Sequence, residues 1–423
     1  MFPNSGLYSR RSLLRSSVAT TLALGGAGHT GAGVLLAQDS GTPLALGTPV
    51  VSKARARDLG VPFFDATGPL NSIEDVPGVN VGHLTLIEGD GPLQVGIGPV
   101  RTGITAINPS IEQQQVFGAW STLNGNGELT AAVWIEEMGL IAGPIMLTSS
   151  GSVGTVKDAV THWVYDRLGI SDLFVPVVSE TWDGFLSDIV GGHITPDHVY
   201  SVLDDVLGRA MSGAPPESVQ EGNVGGGTGN MAFDFKGGIG TSSRTIPYPD
   251  GSTYTLGVLV QANFGFRELL TIAGVPVGAQ IPDLMPVDNN PASFSPFQTS
   301  SIVVVIGTDA PLLPSQLKRI ATRAGIGVGN TGGIGDDGSG DIFIAFSTAP
   351  AGQFDEPTPS DISYLPNFAM TPLFYATVMA TEEAIVNALV AAETMTGING
   401  NTVYALPHDR LQEALKTFGR FAG

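Results

Sequence analysis

The pattern of apolar residues marks one junction in the second half of the chain. Five consecutive apolar residues span Ile302–Ile306, directly after the small hydroxyl residues Ser300 and Ser301. Unbroken runs of this kind are typical of strands that are buried on both faces. A stretch rich in Pro, Asn and Ser (286–299) precedes the serine pair. The pattern therefore predicts a loop that is joined by a serine to the first residue of a core strand.

Shorter apolar segments and turn signals predict further elements on both sides of this junction. Strands are predicted at 100–107, 144–147, 175–178, 255–262 and 342–346, and helices at 157–168, 195–208, 314–323, 372–396 and 408–418. Strands that alternate with helices indicate a single layered α/β or α+β domain over 68–423, in which helices cover a largely buried sheet. Residues 38–67 are predicted to be a linker.

Two glycine-rich stretches stand out, because glycine permits tight loops and close backbone approaches. Residues 222–229 (GNVGGGTG) lack the G-x-x-x-x-G-K-[ST] pattern of a phosphate loop, and Lys236 is misplaced for one. We expect this stretch to be a tight loop that crosses another chain segment. The second stretch, 325–340, is predicted to follow the helix at 314–323 and to lead into the strand at 342–346.

Charge and composition exclude several classes of protein. The chain has 19 basic and 39 acidic residues and a formal net charge of −20. Such an acidic surface repels phosphate backbones, so we expect no nucleic-acid partner. The chain has no cysteine, which excludes disulfides, thiolate nucleophiles and Cys-ligated zinc.

The N-terminal segment indicates export from the cytoplasm. Arg10 and Arg11 precede a mildly apolar, Gly- and Ala-rich run that ends near Ala37. This arrangement is typical of a twin-arginine export signal over residues 1–37, and a cut after Ala37 predicts a periplasmic protein. No later stretch is expected to be long and apolar enough to cross a bilayer, so we expect no membrane contact after signal removal.

The polar residues offer no obvious metal site or histidine-based catalytic site. The six histidines lack the surroundings of a triad or of an H-E-x-x-H motif, and His193 and His198 are expected to lie in a surface loop and a first helical turn. Asp336, Asp337 and Asp341 do not have the spacing of a calcium loop. We therefore expect neither a metal nor another cofactor.

A serine without a histidine can be activated by an amine. If the chain breaks before Ser301, the new α-amino group has an intrinsic pKa of about 7.7–8.0 and lies on the same residue as the hydroxyl. That amine can accept the hydroxyl proton. The same Oγ can first attack the Ser300 carbonyl, so that one nucleophile performs both processing and catalysis.

A set of ordered motifs gives this hypothesis more support. The chain contains GPLNSIEDVPGVNVGH (68–83), VRTGITAI (100–107), ETWDGFL (180–186), NVGGGTG (223–229), FKGGIGTSSR (235–244), VQANFG (260–265), SIVVVIGTDAPLLP (301–314) and GSGDIFIAFST (338–348). In these motifs it resembles the L-aminopeptidase/D-Ala-esterase/amidase family, which includes the β-peptidyl aminopeptidases. The resemblance covers roughly residues 68–420.

The resemblance implies a fold and a processing event. It implies an αββα sandwich of the N-terminal-nucleophile type, formed by one catalytic domain. It also implies self-cleavage between Ser300 and Ser301 into a large subunit (38–300) and a small subunit (301–423), which remain together. The processed heterodimers are expected to form a homo-oligomer.

The resemblance also implies roles for individual residues. Ser301 matches the nucleophile, and Asn263 matches the amide of the oxyanion hole. Ser339 and Asp341 match the hydroxyl and the acid that support the nucleophile and its amine, although some relatives carry Glu at the second position. Glu180 matches the acid that recognises the free amino group of the substrate.

Trp182 departs from the family pattern, because Tyr or a smaller aromatic residue is expected at its position. The absence of a tyrosine hydroxyl there would remove a hydrogen bond near the nucleophile, and it would alter the pocket. We therefore expect Trp182 to bear on specificity.

Taken together, the sequence predicts an exported, self-processed aminopeptidase. Its substrates would be short peptides, amides or esters with a free N-terminus, in which the first residue is an L-, D- or β-amino acid. Two alternatives stay open. One is an acyltransferase of the ornithine acetyltransferase type, although that type normally uses Thr and is cytosolic. The other is an inactive binding protein of the same fold.

Overall fold

The computed structural model describes residues 53–109, 115–171, 175–290, 300–352 and 358–423. The strands in these ranges are β1 Asn80–Glu88, β2 Val100–Asn108, β3 Gln115–Gly125, β4 Leu140–Ala142, β5 Ile145–Ser149, β6 Val177–Thr181, β7 Met231–Ala232, β8 Phe235–Lys236, β9 Gly238–Pro247, β10 Thr253–Asn263, β11 Ser301–Thr308, β12 Gly340–Ser347, β13 Met395–Thr396 and β14 Thr402–Val403. The α-helices are α1 Ala132–Met138, α2 Val153–Leu168, α3 Pro196–Ser212, α4 Val277–Gln280, α5 Pro314–Asn330, α6 Thr371–Ala391 and α7 His408–Thr417. The export signal expected at 1–37 lies outside the described residues.

Two sheets and two pairs of helices form four layers. One sheet has the strand order β1-β2-β5-β6, and the other has the order β4-β3-β12-β11-β10-β9. An apolar cluster between the sheets joins residues such as Ile145 and Leu147 to Val303 and Ile344. Helices α2 and α3 cover the outer face of the four-stranded sheet, and α5 and α6 cover that of the six-stranded sheet. The predicted αββα sandwich is thus confirmed.

Strand β11 lies inside the six-stranded sheet and is buried along its whole length. Its side chains alternate between layers: Ile302 and Val304 pack against the outer helices, whereas Val303 and Val305 pack against the other sheet. This explains the unbroken apolar run, because both faces of the strand meet apolar layers. The strand pairs antiparallel with β10 and parallel with β12. A chain break at its first residue would therefore leave it hydrogen-bonded on both sides.

Helix α5 is longer than the sequence pattern predicts. The predicted helix ends at residue 323, whereas the observed one continues to Asn330 through the start of the glycine-rich stretch. A Cβ at Gly327 would lie 2.8 Å from the Val378 carbonyl oxygen and 2.7 Å from the Thr381 side chain, both on α6. Glycine here serves the close packing of two helices, and the predicted helix end at residue 323 was too early.

The glycine-rich stretch 222–229 crosses other segments of the chain, as predicted. A Cβ at Gly226 would lie 2.1 Å from the Gln261 side-chain oxygen and 2.8 Å from the Leu147 carbonyl oxygen. No larger residue fits where this loop passes between the two sheets. The loop brings the backbone of residues 227–230 close to the ends of strands from both sheets.

The second half of the predicted linker packs onto the sandwich instead of standing apart from it. Ala56 is fully buried. Arg57 forms an ion pair with Glu383 of α6 (2.7 Å), and Arg55 forms one with the buried Glu221 (2.9 Å). Composition alone suggests a linker, because the carboxylates that receive these arginines are distant in sequence. The folded part therefore includes residues 53–67 and does not begin at 68.

Within the described residues, one segment is long and apolar enough to cross a membrane, contrary to the expectation that no stretch after the signal is. It spans Asn367–Ala391 and includes helix α6, and 78% of its most apolar window is buried inside the protein. The helix packs against strands β9 and β10. Its apolar character is accounted for by its place in the core of the sandwich.

Candidate active site

Four strand ends meet at one edge of the sandwich. Asn263, the last residue of β10, lies opposite Ser301, the first residue of β11. Ser301 in turn lies beside Gly340, the first residue of β12. The end of β6, at Glu180 and Thr181, approaches from the other sheet. The fold therefore gathers residues that are up to 161 positions apart in sequence (180 to 341).

Two N–H donors point at the Ser301 hydroxyl, and the residue is only 3% exposed. The side-chain Nδ2 of Asn263 lies 3.5 Å from Ser301 Oγ, and the backbone nitrogen of Trp182 lies 3.4 Å from it. Both distances are long for hydrogen bonds in the resting state. Donors that converge on a nucleophile in a buried place are suited to stabilise negative charge that develops beside it.

A neighbouring backbone N–H fixes the orientation of the Asn263 amide. Asn263 Oδ1 accepts a hydrogen bond from the Met231 N–H at 2.8 Å. Because the oxygen is engaged by this donor, the NH2 group of the same amide faces Ser301. The amide that the sequence assigns to the oxyanion hole thus presents its NH2 group to Ser301.

Ser339 and Asp341 form a pair beside the serine junction. The Ser339 hydroxyl donates to Asp341 Oδ1 at 2.5 Å and lies 3.2 Å from the Ser300 hydroxyl. The sequence analysis expects Ser339 to support the nucleophile. In the uncut chain its contact is with the residue that precedes Ser301.

The Asp341 carboxyl lacks a compensating cation. Its Oδ2 is buried and has no hydrogen-bond partner among the described residues. Burial raises the pKa of Asp341 to about 6, and the hydrogen bond from Ser339 opposes this shift. A positive group placed here would restore the ionised form.

The Ser300 carbonyl has a donor of its own. Its oxygen accepts the Gly340 N–H at 2.9 Å. The Ser300 hydroxyl in turn lies 3.4 Å from the Gly265 N–H. The peptide bond before Ser301 is therefore held by different backbone donors from those that face the Ser301 hydroxyl.

Glu180 lies near the serine junction without touching it. Its Oε1 accepts the Glu128 N–H at 3.0 Å, and its Oε2 contacts the Ser150 hydroxyl. A Cβ at Gly127 would be 3.2 Å from both Glu180 Oε1 and the Gly340 Cα, so one glycine separates the acid from the start of β12. Burial raises the pKa of Glu180, while its two hydrogen bonds oppose the shift.

Trp182 faces the nucleophile with its backbone N–H. Its N–H faces Ser301, whereas its indole packs over Gly184, where a Cβ would lie 2.7 Å from the ring. Every residue except Pro has such an N–H. This backbone donor does not depend on the residue type at position 182, and the expected effect of a missing tyrosine hydroxyl on specificity stays a prediction.

The backbone donors and one side chain of the site could not be predicted from the sequence. The N–H groups of Trp182, Gly265 and Gly340 leave no trace in the residue types, because every non-proline residue carries one. Ser150 was overlooked because it lies in a run of small hydroxyl residues, 148–152, of the kind that precede helices. Its contact with Glu180 becomes visible only when β5 and β6 are paired.

Groups that bind metals are not assembled in the described ranges. There, no set of three or more His, Asp or Glu side chains is placed to hold a metal ion. His193 lies in a loop, as predicted, and its Nε2 contacts Oδ2 of the buried Asp188 at 2.9 Å. This pair also receives the Gly96 N–H and thereby ties two loops together.

The chain is similar to a peptidase family and to characterised aminopeptidases. The sequence model of peptidase family S58 matches residues 71–403. The β-peptidyl aminopeptidase BapA of Sphingosinicella microcystinivorans is 46% identical over 389 residues, which cover 90% of this chain and 96% of that protein. BapA of Sphingosinicella xenopeptidilytica is 45% identical over 382 residues, which cover 87% of this chain and 92% of the relative.

Solved structures agree with this similarity. The L-aminopeptidase D-Ala-esterase/amidase of Ochrobactrum anthropi, described as a variant of the Ntn hydrolase fold, superposes with a TM-score of 0.78 at 42% identity, covering 87% of this chain and 99% of the other. A β-aminopeptidase of a Burkholderia species superposes with a TM-score of 0.73 at 42% identity, covering 86% and 99%. The likeness extends over nearly the whole of each of these chains.

Proposed function

The chain belongs to peptidase family S58 and is an aminopeptidase with the Ntn hydrolase fold, and we propose on this premise that it is a self-processing β-peptidyl aminopeptidase. Ser301 is the nucleophile of both processing and turnover. The observation that carries the proposal is the position of Ser301 at the start of a central strand, opposite the amide of Asn263. The names of the relatives support the substrate class.

Processing begins at the peptide bond before Ser301. The Ser301 Oγ attacks the Ser300 carbonyl carbon and gives up its proton, and the C–N bond breaks as the Ser301 nitrogen takes that proton. The Gly340 N–H, already bonded to the Ser300 oxygen at 2.9 Å, stabilises the charge that develops on that oxygen. Water then hydrolyses the ester, which leaves a carboxylate on Ser300 and a free amine on Ser301.

Turnover uses the groups that processing releases. The free amine of Ser301 accepts the proton of Oγ, which attacks the carbonyl carbon of the substrate. The Asn263 Nδ2 and the Trp182 N–H stabilise the tetrahedral oxyanion. The amine then returns the proton to the leaving nitrogen, and water resolves the acyl-enzyme.

The two buried carboxyls of the site are suited to bind amines. Asp341 and Glu180 both have pKa values raised by burial, and neither forms an ion pair among the described residues. An ammonium group nearby favours their ionised forms. We assign the new amino group of Ser301 to Asp341 and Ser339, and the amino group of the substrate to Glu180.

The preference for β-amino acids is tested with three matched substrates. We expect kcat/KM for a β-homoalanyl p-nitroanilide to exceed that for the L-alanyl and D-alanyl p-nitroanilides at least tenfold. Purified processed enzyme is assayed by release of nitroaniline under identical conditions. A higher kcat/KM for either α-amino acid would contradict the β-peptidyl assignment, although the protein would remain an aminopeptidase.

Replacement of Glu180 tests recognition of the free amino group. Glu180→Gln is expected to lower kcat/KM about 10-fold to 100-fold, mainly through KM, because a hydrogen bond to a charged group contributes about 1.5–3 kcal/mol. Initial rates with a free-amine substrate and with its N-acetyl analogue measure the effect.

The matched control is Glu128→Gln, which removes an exposed carboxylate whose charge acts on Glu180 but keeps the backbone N–H that donates to Glu180. We expect this control to stay within threefold of wild type. Equal losses in both variants, or rapid hydrolysis of the N-acetyl substrate by wild type, would refute the assignment of Glu180.

Export and assembly complete the proposal. The twin arginines at positions 10 and 11 and the apolar run to Ala37 support export to the periplasm with removal of residues 1–37. We also propose that the processed enzyme forms a homo-oligomer. Fractionation of cells and N-terminal sequencing of the exported protein test the first point, and light scattering of the purified enzyme tests the second.

A further inference from the structure

Lys236 is a buried cation that the mechanism above does not use. It is fully buried, and its Nζ lies 2.6 Å from the Asn230 carbonyl oxygen, 2.9 Å from that of Gly237 and 3.4 Å from that of Gly227. Among the described residues no carboxylate forms an ion pair with it. A charge that is buried without an opposite charge is rare, because desolvation is costly.

The contacts of Nζ favour the ammonium form of Lys236. Three carbonyl oxygens around one nitrogen match the three N–H donors of an ammonium group, whereas a neutral amine has only two. Burial and then the charge of Lys53 lower the pKa of Lys236 well below its usual value, and the charge of Asp183 acts in the opposite direction. We assign the ammonium form on the basis of the three acceptors.

The closest contact of Lys236 leads to the nucleophile through one peptide group. The Asn230 carbonyl, which accepts from Lys236, and the Met231 N–H belong to the same peptide bond. That N–H donates to Asn263 Oδ1 at 2.8 Å, and Asn263 Nδ2 faces Ser301 Oγ at 3.5 Å. A chain of polar contacts thus runs from the ammonium to the catalytic hydroxyl.

We propose that Lys236 is a positioning residue that orients and polarises the oxyanion amide of Asn263 through the Asn230–Met231 peptide bond. The inference rests on the proposed roles of Ser301 and Asn263. A cation at a peptide oxygen makes the N–H of that peptide a stronger donor, because hydrogen bonds in a chain polarise one another. The amide of Asn263 then carries more positive charge on Nδ2, where the oxyanion of the transition state binds.

A neighbouring contact offers a control that leaves the polar contacts from Lys236 to Ser301 intact. The Asn230 side chain also bonds to Thr181, with oxygen and nitrogen contacts of 3.1 and 2.9 Å. Thr181→Val removes these bonds from the same buried region but leaves the carbonyl of Asn230 on Lys236. It also removes the bond that Thr181 Oγ1 accepts from Gln261 Nε2 at 2.8 Å, and it thus perturbs the same buried region without removing the cation.

The test is a double-mutant cycle between Lys236→Met and Asn263→Ala. We expect Lys236→Met to lower kcat about 10-fold to 100-fold with KM changed less than threefold, and to have less than a twofold effect when Asn263 is already Ala. Thr181→Val is expected to keep kcat within threefold. A Lys236→Met loss that is equally large in both backgrounds would mean a general structural role and would overturn the inference, as would an unchanged kcat.

Two further measurements keep the result unambiguous. If Lys236→Met does not fold, as judged by circular dichroism and urea unfolding, Lys236→Gln replaces it in the same cycle, because it retains a hydrogen-bond donor without the charge. If Ser301→Ala is as active as wild type, the proposed nucleophile is wrong, and the inference falls with it. An inactive Ser301→Ala variant beside an additive cycle would refute only the role of Lys236.

Discussion

The Ser301→Ala variant is expected to remain a single uncut chain with no measurable aminopeptidase turnover. The substitution removes the only oxygen that attacks the Ser300 carbonyl, so neither the cut nor the new amine can form. The nucleophile and the base lie on the same residue, and the base forms only when the nucleophile has cut the chain. The substitution therefore removes both functions at once, and we expect a complete loss of activity. Intact mass and p-nitroanilide hydrolysis at high enzyme concentration measure the two effects.

The adjacent serine provides the comparison for this prediction. Ser300→Ala keeps the scissile carbonyl and its Gly340 donor but removes the hydroxyl that contacts Ser339. We expect this variant to be cut at the same bond. If Ser300→Ala stays uncut while Ser301→Ala is cut, Ser300 is the nucleophile. That result would contradict the mechanism.

Asn263→Ala is expected to separate turnover from processing. Removal of one oxyanion donor typically lowers kcat by a factor of about 10²–10³, and we expect that loss with little change in KM. The variant should still be cut, because the oxygen of the scissile carbonyl is held by the Gly340 N–H and not by Asn263. Steady-state kinetics and intact mass on the same preparation measure both properties.

An isosteric variant of Asn263 tests the charge requirement at this position. Asn263→Asp preserves the shape but places a carboxylate where the oxyanion forms, so its loss of kcat should be at least as large as that of Asn263→Ala. Both variants are compared at equal extents of processing. A kcat within tenfold of wild type for either variant would remove Asn263 from the oxyanion hole.

The sequence predicts those parts of the site that depend on local pattern. The apolar run Ile302–Ile306 identifies a strand that is buried on both faces, because such a strand needs apolar side chains in both directions. The serine at its start can be identified because it directly precedes this apolar run. The roles of Asn263, Ser339 and Asp341 came from motif resemblance, and the register of β10, β11 and β12 places all three next to the serine junction.

Contacts between distant segments could not be predicted from pattern alone. Residues 53–67 looked like a linker because the acidic partners of Arg55 and Arg57 lie more than 160 positions away. In the sequence, Lys236 is notable only as a lysine that is misplaced for a phosphate loop. Its actual partners could not be predicted, because they are backbone carbonyls, which every residue has. The donors at Trp182 and Gly340 were hidden for the same reason.

Glycine gave a mixed signal because it serves two kinds of packing. In the loop at 222–229 it allows backbone to cross backbone, and the density of glycines alone indicates this. In helix α5, Gly327 allows a second helix to approach, although the same residue type suggests an earlier end of the helix. Only the position of helix α6 distinguishes the two cases.

Intact mass with N-terminal sequencing of purified wild-type protein tests the central claim most directly. We predict two fragments that co-purify, one of which begins Ser-Ile-Val-Val-Val at Ser301, and a single chain for Ser301→Ala under the same conditions. Co-purification is expected because β11 is hydrogen-bonded between β10 and β12. An active wild-type enzyme that is a single uncut chain would contradict the N-terminal-nucleophile mechanism.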